Sequence, residues 1–149
     1  MNAGYKAELL NKADGLLKSN DLSKLDYLSL AFSMTGDRKY SDHIKEVLIN
    51  ATKAQSWENS EMMLRNPAWH TELNVAHRSF ACGLAYDVIY HTLSKSERMT
   101  IAEGLQRLAV KPAMEDWVND DTAIPVISSF VVLVQIVVVV VVFWSHISF

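Results

Sequence analysis

The chain has 149 residues, a net charge of −3 and an apolar fraction of 50%. That length suits one domain with a core of its own, and the mild acidity excludes the basic stripe that a nucleic-acid partner would need. One cysteine, Cys82, excludes a disulfide framework and a thiolate metal cluster, and the scarcity of Gly and Pro (5 and 3) excludes a linker or disordered chain.

The first predicted element is a helix over Tyr5 to Lys18, with Leu9, Leu10, Ala13, Leu16 and Leu17 on one stripe. Ser19-Asn20-Asp21 breaks it. A second helix, Ser23 to Met34, carries Leu25, Leu28, Leu30, Ala31 and Phe32 and stops at Thr35-Gly36-Asp37, a glycine C-cap before a polar turn. A third, Tyr40 to Ala54, places Ile44, Val47, Leu48 and Ala51 inward. The period is lost from Gln55 to Thr71, which predicts a long loop with at most one turn of helix. A fourth helix, Glu72 to His91, is apolar over more than one face, as suits an element enclosed by neighbours. Ser94 and Glu97 form a capping box for a fifth, Lys95 to Val110. Pro112 opens a last short helix, Ala113 to Val118. No alternation of period two occurs before residue 122, so the prediction is an all-α fold of helical hairpins: an open solenoid or, preferred for the broad apolarity of the fourth helix, an α/α toroid.

The charges divide the chain in two. All 31 charged residues lie at or before Asp121, and residues 122–149 carry none. The soluble part is therefore assigned to 1–121 and an uncharged Val-rich tail to 122–149. The opening MNAGYKAELLNKADGLLK contains no apolar h-region of a secretory signal, so either the product stays where it is made or its true beginning is missing.

The stretch LAFSMTGDRKYSDHIKEVL, followed by NPAWHTELNVAHRSFACGLAYDVIYHTLSKSERMTIAEGLQRLAVKPAMEDWV, resembles the N-terminal helical domain of heparinase II/III-like polysaccharide lyases. The likeness is densest at Leu84-Ala85-Tyr86-Asp87, Leu93-Ser94, Glu97-Arg98, Ile101 and Ala102, with Trp69-His70, Leu73-Asn74 and Ala76 upstream. It covers residues 28 to 120. It implies part of an incomplete α/α toroid and β-elimination of uronic-acid-containing polysaccharides such as heparan or alginate, in secreted or periplasmic enzymes. That chemistry requires an Asn, His or Arg to neutralise the uronate carboxylate and a Tyr or His to move the C5 proton. In the family the first such residues follow the helix matched by Met114 to Val118; here the likeness ends after Asn119-Asp120-Asp121. The expectation is a fragment of a lyase, catalytically silent, with a shift of reading frame near residues 119–125. The alternative is a helical-repeat interaction module with a C-terminal membrane anchor.

The candidate substrate-binding residues are Trp69, His70, Glu72, Asn74 and Arg78, where the loop enters the fourth helix. Trp stacks on sugar faces, and Asn, Arg and His bond hydroxyls and carboxylates; the competing reading has Trp69 plugging the core and Glu72 favoured by the helix dipole. No catalytic residue is assigned. His70 and His77 stand seven apart, without the i, i+4 pair of a helical zinc site, so no metal and no cofactor is expected. His43 and His91 read as surface residues, Cys82 as inert and buried, and Tyr86-Asp87 as a packing residue and a tether, because neighbours on a helix point about 100° apart. The partner class is an acidic polysaccharide, with a membrane as a further partner through Ile124 to Trp144: 21 residues, where roughly 20 cross a bilayer. Three readings of the tail stand side by side: a membrane span, out-of-frame sequence, and a β-prone strand built on the six valines 137–142. Localisation stays open on these grounds.

Overall fold

The computed structural model describes residues 3–117. The tail 122–149, with its membrane-span, out-of-frame and strand readings, lies outside the described residues, as do Asp120 and Asp121. Among the described residues every regular element is helical: α1 (Ala3–Leu16), a 3₁₀ turn (Leu22–Lys24), α2 (Leu25–Thr35), α3 (Arg38–Ala51), α4 (Ser60–Met63), α5 (Leu73–Ile89), a 3₁₀ turn (Tyr90–Thr92), α6 (Lys95–Leu105), a π turn (Gln106–Val110) and α7 (Lys111–Trp117). The fold is all-α. No helix among these residues is long and apolar enough to cross a membrane.

Local chemistry sets the punctuation. Gly36 adopts the left-handed conformation (φ 66°), and its N–H donates to Phe32 O at 2.7 Å, closing α2; a side chain there would be strained. The next residue, Asp37, caps α3 by accepting from the Lys39 N–H at 3.0 Å. Two residues thus end one helix and start the next, and α2 and α3 pack side by side. The capping box is present: Glu97 N donates to Ser94 Oγ, and Ser94 N to Glu97 Oε2 at 2.8 Å.

The core forms where α2, α3 and α5 meet, with α6 and the π turn behind them. Leu25, Leu28 and Ala31 of α2, Ile44, Val47 and Leu48 of α3, Val75, Cys82, Ala85 and Ile89 of α5, and Ile101, Leu105 and Leu108 are all buried. Burying one such Leu or Ile contributes about 1.5–3 kcal/mol. Gly104 is required for closeness rather than for conformation, since a Cβ there would overlap the Thr52 side chain at the end of α3.

Three expectations need correction. The fifth helix does not run uniformly to Val110: its last turn widens to π geometry before α7 begins. Pro112 explains this, because it cannot donate to the residue 108 carbonyl and its ring crowds that carbonyl, so the turn before it opens. The fourth helix is central but not enclosed all round, for Leu73 and Phe80 are 58% and 38% exposed. His43 is no surface residue; it is half-buried, with Nε2 2.9 Å from Ser19 O, and ties α3 to the end of α1.

Candidate functional site

The loop from Gln55 to Glu72 feeds α5, and five contacts hold it in place. Trp57 is buried as its anchor. Asn59 caps the single turn of α4 through the Glu61 N–H, and Trp69 N donates back to Met62 O at 3.1 Å. His70 Nδ1 pairs with Glu58, both side chains half-buried. Burial works against the charged form of Glu58, but hydrogen bonds from His70 and Ser56 outweigh it and hold the carboxyl below its ordinary value.

The fifth contact is Asp116 of α7. This buried carboxylate accepts the His70 N–H at 2.9 Å, the Thr71 N–H at 2.6 Å and the Thr71 hydroxyl. It joins the last described helix to the loop entrance of α5, 45 residues earlier in the chain. Sequence reasoning missed both Glu58 and Asp116. Nothing in MEDW marks Asp116 as buried; the pattern is that of a solvated helix face.

Glu72 is the N-cap of α5. Its Oε2 accepts the Asn74 N–H and Asn74 Nδ2, each at 3.0 Å. The dipole reading of Glu72 therefore has a definite form, a side-chain cap of the kind more often made by Asp. Trp69 lies under the Arg65 guanidinium, 5.8 Å from ring centroid to Cζ, and its Nε1 is buried without a hydrogen-bond partner among the described residues.

The remaining two candidates line a cleft open to solvent. Asn74, His77 and Arg78 of α5 face Asn20, Asp21 and Ser23 of the α1–α2 connection across a cleft of about 390 Å³. Asp21 caps the 3₁₀ turn through the Ser23 N–H at 2.9 Å. Hydrogen bonds from Ser23 hold its carboxyl below the ordinary value, against a small opposing effect of burial, and the Arg78 charge adds to the lowering. The side chains of Arg78 and His77 make no hydrogen bond or ion pair with another described residue. The five candidates thus divide: Asn74 and Arg78 line the cleft, whereas Trp69, His70 and Glu72 are engaged in building the loop and the helix start that shape it. Asn20, Asp21, Leu22, Ser23 and His77 are the cleft residues that sequence reasoning left out; Asn20-Asp21 was legible as a helix break, though not as a wall facing α5.

Tyr86 packs rather than reacts. It is 4% exposed, its ring stands edge-on to Tyr90 at 5.6 Å, and burial pushes its phenol up to about 12. Cys82 is fully buried, and burial raises its thiol to about 12 against a smaller lowering by the Arg78 charge. No three His, Cys, Asp or Glu side chains converge on a metal-sized point among the described residues. Comparison of the chain with family models, with curated proteins and with solved structures returned no match.

Proposed function

We propose that this chain is the helical domain of a heparinase II/III-like polysaccharide lyase, an arc of an incomplete α/α toroid that binds uronic-acid-containing polysaccharide. The observation that carries the reading is the cleft on α5, where a guanidinium with no hydrogen bond or ion pair among the described residues stands with the Asp21 carboxylate among amide and hydroxyl groups. A uronate needs that combination: a fork of donors for its carboxylate and neutral groups for its hydroxyls. The helical hairpins α2–α3 and α5–α6, with α3 packed on α5 across the intervening loop, are compatible with a toroid arc.

Binding without cleavage is the expected behaviour. β-Elimination needs a base on the C5 proton while a second group holds the carboxylate. His77 and Arg78 are adjacent on α5 and diverge by about 100°, and Tyr86 is buried and protonated. The test is titration of the full chain with uronic-acid oligomers, followed by incubation with the polymers. Arg78→Ala should weaken binding by about 10-fold or more, the loss of one charge-assisted hydrogen-bonded pair. Equal affinity in wild type and R78A, or release of unsaturated uronides, would sink the corresponding half of the reading.

A helical interaction module anchored to a membrane is the second reading. It draws on the exposed Leu73 and Phe80 of α5 and on the uncharged residues 122–149. Flotation with neutral liposomes separates the two, since only the anchored form rises with the lipid.

A further inference from the structure

We propose that the cleft between the α1–α2 connection and α5 is a seat for a ligand with one carboxylate beside free hydroxyls, in which Arg78 takes the carboxylate and Asp21 turns away polysulfated chains; this rests on the acidic-polysaccharide reading above. The cleft has one fixed cation and one fixed anion. Asp21 is kept ionised by its hydrogen bonds to Ser23, and Arg78 is near enough to lower it further. A single carboxylate can meet the guanidinium fork while the Asp21 oxygens accept a neighbouring hydroxyl. Asn74 gives one of its two side-chain N–H groups to Glu72, which leaves its carbonyl oxygen as an acceptor and its second N–H as a donor. Groups that accept from or donate to hydroxyls thus surround one charged donor fork for an acid.

A sulfated chain fits this arrangement poorly. It brings several negative charges within reach of Asp21, and only one cation in the cleft is available to offset them. The whole chain, at net −3, supplies no attractive field to compensate. Discrimination therefore comes from repulsion at Asp21 as much as from attraction at Arg78.

The experiment is calorimetric titration of the full chain at roughly physiological salt, where exposed charges act only over about 8 Å. The probes are unsulfated polyuronate oligomers, heparin oligomers and neutral oligomers of the same length. Polyuronate is expected to bind more tightly than either of the others. Asp21→Asn keeps the Ser23 cap, since Asn caps as well as Asp, and removes the charge. It should raise heparin affinity by about fivefold, the scale of one exposed charge pair, while polyuronate affinity moves by less than about twofold. A merely structural Asp21 would not produce that gain. Heparin binding as tight as polyuronate, or heparin affinity unmoved by D21N, overturns the inference and leaves the broader reading intact. Neutral oligomers binding as tightly as polyuronate overturn the carboxylate seat. Failure of every oligomer to bind overturns both.

Discussion

A carboxylate out of water costs several kcal/mol unless hydrogen bonds replace its hydration. Asp116 meets that condition with three donors from two consecutive residues, and in return it satisfies two backbone N–H groups that the loop would otherwise bury unpaired. Asp116→Ala should therefore cost about 3 kcal/mol, because it leaves those amides without an acceptor. Asp116→Asn, which keeps one carbonyl oxygen, should cost less. Urea unfolding gives the loss, and amide exchange at His70 and Thr71 localises it. Unchanged exchange at both amides in D116A would show that the loop is held elsewhere. Glu72 illustrates the same economy at the surface of the core: one carboxylate oxygen caps α5 and orients Asn74.

At the scale of elements, the junction of α3 with α6 and the π turn shows how a helix end is closed by a distant side chain. The last carbonyls of α3 are met by the turn that follows, Leu48 O by Thr52 N, Asn50 O by Lys53 N and Ala51 O by Ala54 N, and the carbonyls just past the helix need another partner. Arg107 supplies one, donating to Thr52 O, Ala54 O and Gln55 O at 2.7 to 2.9 Å. The π geometry over Gln106–Val110 sets the register of that side chain, and Gly104, one turn earlier, lets the two backbones approach. Arg107→Ala should lower stability by about 1 kcal/mol, the exposed position reducing the value of charged hydrogen bonds. Arg107→Lys should recover only part, since an ammonium lacks the planar fork. Thermal unfolding of the two variants checks this; R107K as unstable as R107A would mean that charge contributes nothing there.

At the scale of the molecule, the titrating groups set a window of stability. Asp14, held low chiefly by its hydrogen bond from Lys39, and Asp21, Glu58 and Glu97 all ionise below their ordinary values in the fold. A depressed folded value contributes stability that is complete above the ordinary value and lost as pH falls through the folded one. The acid limb should therefore begin near the ordinary carboxylate values of 4.5 for Glu and 3.8 for Asp. On the other side Cys82 and Tyr86, raised by burial, and Lys39, raised by Asp14, all stand near 12 in the fold. A raised folded value contributes stability that is complete below the ordinary value and lost as pH climbs through the folded one. The alkaline limb should begin near 9.0, the ordinary value of the thiol. Urea midpoints measured across pH should trace this plateau, and Cys82→Ala should delay the alkaline limb until the tyrosines titrate near 10.0. An unchanged onset in C82A would assign that limb to other groups.

The helices were legible in the chain by itself. Apolar residues at three- and four-residue spacing placed α2, α3, α5 and α6, and the signals that end helices are local: Gly36 and Asp37 act within one turn, as do Ser94 and Glu97. The single turn of α4 fits the one turn of helix allowed in the aperiodic loop, and its cap, Asn59 accepting from the Glu61 N–H, is local too. The candidate site was legible only in part. Asn74 and Arg78 stood out by residue type, but the division that sends them to a cleft, and Trp69, His70 and Glu72 to the loop, depends on contacts between distant segments. Asp21 meets α5 across more than fifty positions, Asp116 reaches Thr71 across 45, and Arg107 reaches Thr52 across 55. Periodicity reports which face of a helix is apolar. It carries no record of which polar side chain the packing of other helices will bury, pair or leave open, and that choice belongs to the tertiary structure because the free energy of a charge is set by everything that surrounds it.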